Sequence, residues 1–179
     1  MSSLTLPRWM PPGSGPMHMG GRAALLASVL CLAACAAKPP PPVVTTVSLS
    51  VTAGADANPD ARKRASPVTV RVYALKSAAP FESADFFSLY EKDVPTLGAD
   101  LVQREEFLLR PGEVKTMELK LGPEAKTLAV MAAFRDLEHA RWRQVHPLDI
   151  GKPVEVNVSL KGSQLGLAHK LLSPPPEKK

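Results

Sequence analysis

The stretch VVTTVSLSV at residues 43–51 alternates apolar and hydroxyl-bearing side chains, and VEVNVSL at residues 154–160 alternates cleanly as well. Successive side chains of a strand point to opposite faces, so a period of two predicts a strand with one buried face. In the first stretch that face is predicted to carry Val43, Thr45, Val47, Leu49 and Val51. The two stretches therefore predict β-sheet with one face of each strand in a core.

Six further segments have the composition of strands, and they lie at residues 68–75, 101–109, 114–121, 127–134, 141–145 and 165–168. The second and third of these flank the sequence RPGE, whose Pro and Gly favour a tight turn, so they predict a hairpin. The segment TLAVMAAF at residues 127–134 is apolar throughout, as expected of a central strand covered on both faces. Short strands separated by turn signals favour an all-β fold, in which two sheets pack as a sandwich.

One segment breaks the strand pattern. In PFESADFFSLYE, at residues 80–91, the apolar residues Phe86, Leu89 and Tyr90 follow the spacing of one helix face. We expect a short helix here, inserted between the second and third strands, with Ser83 as its N-cap and Asp85 in its first turn. Its aromatic residues are expected to pack the helix onto the sandwich; the alternative is that they form a groove for a partner.

The N-terminus has the features of a bacterial lipoprotein signal. The twelve residues AALLASVLCLAA, at 23–34, carry no charge and follow Arg22. They are too few to span a bilayer, which takes about 20 residues as a helix, and they read as a signal peptide. The sequence LAAC, which ends at Cys35, looks like a lipobox. Residues 1–34 are therefore predicted to be a signal peptide and Cys35 to be lipidated; the alternative is an ordinary signal peptide with a chance cysteine.

The rest of the chain divides into a tether, one domain and a tail. Residues 35–42 contain four consecutive prolines, which favour an extended spacer. Residues 43–172 form the predicted domain, and residues 173–179 (SPPPEKK) have no apolar side chain and are predicted to be disordered. The residue after the cysteine is Ala36 rather than an inner-membrane-retaining Asp, so the predicted location is the outer membrane, facing the periplasm.

Composition and motifs argue against several function classes. Net charge falls from +5 to +3 once Arg8 and Arg22 are removed, and no basic stripe remains for nucleic acid. Cys35 is the only cysteine left after processing, and the three remaining histidines lack the spacing of a zinc site. No P-loop, dinucleotide or GxSxG motif is present. We therefore expect no enzymatic activity, no cofactor and no metal.

The connection AGADANPDARKRA, at residues 53–65, is long and polar. Long loops in compact domains are usually functional or disordered. Asp56, Asn58 and Asp60 match the start of a calcium-binding EF-hand loop, but Ala61 and Pro67 stand where that loop requires Gly and Glu. The calcium interpretation fails, and the loop is longer than a simple strand-to-strand connection requires.

The sequence resembles the outer-membrane lipoprotein of type VI secretion (the TssJ, SciN or VasD family). The resemblance covers nearly the whole predicted mature chain in the same order. The residues that carry it are NPD at 58–60, SPVTVRVYALK at 66–76, ADFFSLYE at 84–91, PGE at 111–113, AAFRD at 132–136 and WR at 142–143. One departure is KRA at 63–65, where relatives often have Gly-Arg-Pro.

The resemblance implies a transthyretin-like β-sandwich with a short inserted helix, held in the outer membrane by the lipid on Cys35. It implies that the domain binds the periplasmic C-terminal region of the large inner-membrane component (TssM) and so docks the trans-envelope complex. In that family the first loop contacts the partner, and this maps onto residues 53–64. The predicted partner-binding residues are Asp56, Asn58, Asp60, Arg62, Lys63 and Arg64.

The alternative function is a periplasmic lipoprotein that carries a small molecule or a glycan between its sheets. A carrier needs a deep apolar pocket with a few convergent polar groups. The docking role needs a filled core and an exposed recognition surface, and it involves no small-molecule substrate. The interior of the sandwich therefore distinguishes the two.

Overall fold

The computed structural model describes residues 42–172. The predicted signal peptide, the lipidated Cys35, the tether as far as residue 41 and the tail at residues 173–179 lie outside the described residues. Within residues 42–172, the helices are too short or too polar to cross a bilayer.

The described residues form eight strands and two α-helices. The strands are β1 Thr45–Ala53, β2 Val68–Leu75, β3 Leu101–Leu109, β4 Val114–Leu121, β5 Thr127–Ala133, β6 Arg143–Pro147, β7 Val154–Lys161 and β8 Gln164–Leu171; the helices are α1 Ala79–Ser83 and α2 Phe86–Leu97. Sheet I has the strand order β4-β1-β7-β8, and sheet II has the order β3-β2-β5-β6. All neighbours are antiparallel except β1 and β7. The predicted two-sheet sandwich is confirmed.

The core lies between the two sheets, and the alternating residues of both sheets fill it. Val47, Leu49 and Val51 are buried as predicted, and β5 is covered on both faces as predicted. Val43 was expected on the buried face, but it precedes β1 and is 53% exposed. That expectation was wrong because the strand begins only where pairing with β4 starts, at Thr45.

The two ends of the sandwich differ. Four connections meet at one end, which we call the loop end: residues 54–67 (the β1–β2 loop), 110–113, 134–142 and 162–163. At the opposite end, which we call the tether end, the chain enters β1 and leaves β8. The loop end therefore lies a full strand length away from the point where the tether joins the domain.

Residues 76–100, between β2 and β3, form a helical insertion on the outer face of sheet II. Phe81, Leu89 and Leu97 pack there against Tyr73 and Met131. A non-helical residue, Lys92, kinks α2. The sequence thus predicted the insertion correctly, although it comprises two α-helices and a short 3-10 turn instead of a single helix.

The predicted N-cap was wrong. Ser83 is the last residue of α1, where its hydroxyl donates to the carbonyl of Pro80. The cap of α2 is Asp85, whose carboxylate accepts from the amide and the hydroxyl of Ser88 at 2.9 and 2.6 Å. A carboxylate with two oxygens satisfies both donors at once, and the helix begins after it.

The β1–β2 loop crosses from one sheet to the other. β1 and β2 belong to different sheets, and packed sheets lie about 10 Å apart. A two-residue turn joins neighbouring strands of one sheet and cannot make this crossing. Residues 110–113, however, join β3 to β4 across the same gap, so the crossing alone does not require a loop as long as residues 54–67. The predicted hairpin of β3 and β4 was wrong, because β3 pairs with β2 in sheet II and β4 pairs with β1 in sheet I.

Candidate functional site

The β1–β2 loop is fixed to its neighbours by backbone hydrogen bonds. The amide of Gly54 donates to the carbonyl of Leu160 at 2.7 Å, and the amide of Asn58 donates to the carbonyl of Gly162 at 2.9 Å. Within the loop, the amide of Ser66 donates to the carbonyl of Ala57 at 3.1 Å. The loop is therefore a defined projection from the loop end.

Asn58 holds the base of this projection. It is 3% exposed and has a positive φ of 52°, a conformation that Asn adopts more readily than most residues. Its Nδ2 donates to the carbonyl of Pro67 at 2.6 Å, and its Oδ1 accepts from the amide of Arg135 at 2.8 Å. The side chain was predicted to bind a partner, but the structure places it inside the loop.

Asp60 shapes the tip of the loop. Its Oδ1 accepts from the amides of Arg62 and Arg64 at 2.8 and 2.9 Å, and its Oδ2 accepts from Nε of Arg64 at 2.8 Å. The Arg64 amide first, and then the Arg64 guanidinium, lower the pKa of Asp60 because they stabilise its ionised form. Both carboxylate oxygens are used within the loop, so Asp60 orders the tip.

The other predicted partner-binding residues face solvent. Asp56, Arg62, Lys63 and Arg64 are exposed, and the Arg64 side chain is 71% accessible. The three basic residues are consecutive, and the amide of Lys63 closes a turn by donating to the carbonyl of Asp60 at 2.8 Å. The loop thus divides into a buried support and an exposed cationic tip.

The β5–β6 connection lies beside the tip. An open groove of about 450 Å³ runs between the two connections, with Asp60 and Lys63 on one side and Arg135 and Asp136 on the other. Nδ1 of His139 contacts Oδ1 of Asp136 at 2.9 Å, an interaction that lowers the pKa of Asp136 and raises that of His139. The loop end therefore carries charges of both signs beside a basic tip.

A charge network beneath α2 was missed by the sequence reasoning. Arg71 donates to the carbonyls of Leu89 and Tyr90 at 3.0 and 2.7 Å, and it contacts Glu106 on β3. Nε of Arg104 lies 2.9 Å from the buried carboxylate of Asp93. The available signal was an arginine in the middle of the otherwise apolar β2, since a buried charge requires partners.

Tyr73 extends this network into the interior. Its hydroxyl donates to Asp93 at 3.1 Å, and burial raises the pKa of Tyr73 to about 12. The hydroxyl therefore stays protonated at neutral pH. Its location beneath the helix gives it a structural part in fixing the insertion to sheet II.

The histidines are divided between the two ends. His139 lies at the loop end, whereas His146 and His169 face each other near the tether end with ring centroids 4.0 Å apart. Within residues 42–172, no group of three or more potential metal-ligating side chains comes together. The space between the sheets is filled by apolar side chains, including Leu49, Val70 and Val130.

The family model of the type VI secretion lipoprotein (VasD, EvfM, TssJ) matches residues 45–163, which include all of β1 to β7 and both helices. The chain belongs to this family. No curated protein sequence matches it significantly.

Solved structures agree with this assignment. The chain is similar to the type VI secretion lipoprotein TssJ1 from Pseudomonas aeruginosa, with 36% identity, a TM-score of 0.70, and coverage of 75% of this chain and 100% of the other. It is similar to Serratia marcescens Lip, a membrane-bound component of the type VI secretion system, with 27% identity, a TM-score of 0.64, and coverage of 69% and 97%. A chain in the structure of the TssM C-terminal domain from EAEC gives 27% identity, a TM-score of 0.59, and coverage of 69% and 97%.

Proposed function

We propose that this type VI secretion lipoprotein docks the trans-envelope complex by binding, through its loop end, the periplasmic C-terminal region of the inner-membrane component TssM. The observation that carries the proposal is that the two ends of the domain differ. The ordered, cationic β1–β2 loop lies at one end, and the chain arrives from Cys35 at the other. An anchored domain with this layout presents its recognition surface away from its own membrane.

The anchor in this proposal is a lipid on Cys35, inserted in the outer membrane from the periplasmic side. Residues 35–42 would then lift the domain off the lipid by about 25 Å if extended, at about 3.1 Å per residue. Two acyl chains already give stable anchoring. Metabolic labelling with a fatty-acid analogue tests this: the wild type takes up the label and Cys35→Ser does not, whereas an unlabelled wild type would remove the anchor from the proposal.

The physical properties of the tip suit a docking role. Because the loop is already ordered, little conformational entropy is lost when it binds. Its exposed basic residues Arg62, Lys63 and Arg64 attract an acidic surface and favour fast, specific encounter. Several copies around one secretion machine would add avidity. The similar chain in the TssM structure supports TssM as the partner.

The carrier alternative has less support. A carrier needs an apolar pocket between the sheets, and in this domain apolar side chains from both sheets occupy that space. Our proposal includes no catalytic step and no small-molecule substrate.

Photo-crosslinking in intact cells tests the partner and the orientation together. A photoreactive amino acid replaces Arg62 at the loop tip or, as the matched control, the exposed basic residue Lys170 on β8 near the tether end. We expect an adduct with TssM from position 62 and none from position 170. Adducts from position 170 alone, or from both positions equally, would contradict the proposed orientation.

A further inference from the structure

Helix α2 carries apolar side chains on two faces. Leu89 and Leu97 face sheet II and are buried. Phe87 and Tyr90 are 61% and 38% exposed, and Val94, beyond the kink, is 56% exposed. The fold therefore uses the first face and leaves the second in contact with solvent.

The exposed aromatic side chains belong to one contiguous cluster, which we call the aromatic patch: Phe86, Phe87, Tyr90 and Trp142. Phe86 is at its centre. Its ring stacks on Tyr90 with centroids 5.4 Å apart, and it meets Phe87 and Trp142 edge-on at 5.5 and 5.3 Å. Contiguous exposed apolar patches on soluble domains mark interaction sites more often than scattered single residues do.

Two arginines hold the patch rigid from below. The Arg71 guanidinium lies 4.8 Å from the centre of the Tyr90 ring and donates to the Tyr90 carbonyl. The Arg143 guanidinium lies 4.7 Å from the centre of the Trp142 ring and donates to the carbonyl of Ala84 at 2.7 Å. Aromatic side chains that are ordered before binding are the usual energetic anchors of protein interfaces.

The patch adjoins the loop end. Trp142 belongs to the β5–β6 connection, and its carbonyl accepts from the amide of Ala132 at 2.8 Å. Arg71, beneath Tyr90, is the fourth residue of β2, so it lies about 10 Å along the strand from the end of the β1–β2 loop. The patch therefore lies beside the connections of the loop end, in a position where a partner bound at that end can also reach it.

The charge around the patch is opposite to that of the tip. Exposed acidic residues outnumber exposed basic ones on the helical insertion, whereas the tip presents consecutive basic residues; the insertion has Glu82, Asp85 and Glu91 against Lys76 and Lys92. Electrostatic complementarity then selects a partner segment with an apolar centre and basic flanks at the patch, and an acidic surface at the tip.

We infer that the aromatic patch is a second contact surface for the same TssM molecule that the tip binds, and that it receives an apolar segment flanked by basic residues. The inference rests on the proposed function. It adds to the docking role a specific surface, the aromatic patch, and the chemistry of the TssM segment that covers this surface.

Titration of the full-length lipoprotein, purified in detergent, with the periplasmic C-terminal region of TssM tests the inference. Phe87→Ser removes the most exposed ring of the patch, and Val94→Ser is the matched control, an exposed apolar residue of the same helix outside the patch. We expect Phe87→Ser to weaken binding by about tenfold, Val94→Ser to change it by less than about twofold, and Phe87→Tyr to restore it. Melting curves check that all variants remain folded.

The other outcomes separate the two proposals. If Phe87→Ser binds normally while Arg62→Glu with Lys63→Glu binds weakly, the inference is wrong and the docking role stands. If Phe87→Ser reduces self-association in sedimentation and leaves TssM binding unchanged, a second copy of the chain covers the patch and the inference is again wrong. If the wild type does not bind TssM, the docking role and the inference both fail.

Discussion

The two longest connections between strands, residues 54–67 and 76–100, are both ordered, but different interactions order them. The helical insertion at 76–100 buries Phe81, Leu89 and Leu97 against sheet II. The β1–β2 loop at 54–67 buries little apolar surface and depends on hydrogen bonds to other connections, above all through Asn58. The insertion is stabilised by apolar packing together with the network of Arg71, Tyr73 and Asp93, whereas the loop depends on a few polar groups alone.

This difference has a consequence for function. Apolar packing tolerates changes at the solvent face, so the insertion can carry exposed aromatic residues without losing its own support. In the loop, the same residues that define its shape lie next to those that face solvent. A substitution in the loop therefore has to be chosen from the contacts of the side chain that it removes, because residues close in sequence, such as Asn58 and Arg62, have different roles.

The largest expected effect is on the insertion. Leu89→Ala removes a fully buried side chain between α2 and sheet II and should cost about 2–5 kcal/mol of unfolding free energy. Val94→Ala, on the exposed face of the same helix, should cost less than about 0.5 kcal/mol. Denaturant titration measures both. Equal losses for the two variants would show that the insertion is not held by its buried face.

A smaller loss is expected from the loop. Asn58→Ala removes the part-buried hydrogen bonds to the Pro67 carbonyl and the Arg135 amide, and each such loss costs about 1–1.5 kcal/mol. We expect a total loss of about 2–3 kcal/mol, with faster hydrogen exchange across residues 54–67. Asp56→Ala, an exposed change in the same loop, is the control. A neutral Asn58→Ala would mean that backbone hydrogen bonds alone order the loop.

The smallest effect concerns pH and the tip. The folded-state pKa of Asp60 is lowered, so its contribution is complete above the unfolded-state value of about 3.9 and is lost as pH falls through the folded-state value. The protection of the Arg62 and Arg64 amides from hydrogen exchange, relative to unstructured amides at the same pH, should therefore persist at pH 5 and be lost below about pH 4. Asp60→Asn should show fast exchange already at neutral pH. Loss of protection in the wild type near pH 6 would rule out Asp60 as the cause.

The sequence predicted the strands and helices whose pattern of residues lies within one short segment. Alternation or apolar composition indicated segments that overlap all eight strands, and helical spacing indicated the insertion, since these patterns lie within one segment. The tight turn at residues 110–113 also followed from its local sequence, but the strands that it joins belong to different sheets and form no hairpin. The lipobox at Cys35 and the tether were also inferred from local patterns, and they lie outside the described residues.

The sequence could not predict features that depend on distant residues. Asn58 meets Arg135, which is 77 positions away, so nothing near Asn58 showed that its side chain is buried. The hairpin of β3 and β4 was mispredicted because the sheet membership of these strands depends on pairing with β2 and β1, which are distant in sequence. The partner-binding role of all six residues stays a prediction. The side chains of Asn58 and Asp60 make hydrogen bonds inside the loop end, while the other four face solvent.

The most direct test of the central claim is calorimetric titration of the full-length lipoprotein in detergent with the periplasmic C-terminal region of TssM. Arg62→Glu with Lys63→Glu reverses two charges at the tip, and Lys120→Glu with Lys170→Glu makes the same change in net charge near the tether end. We predict that the first pair weakens binding at least tenfold, about 1.4 kcal/mol, and that the second changes it by less than about twofold. Normal binding by a folded tip variant, or equal weakening by both pairs, would contradict the claim that the loop end binds the partner.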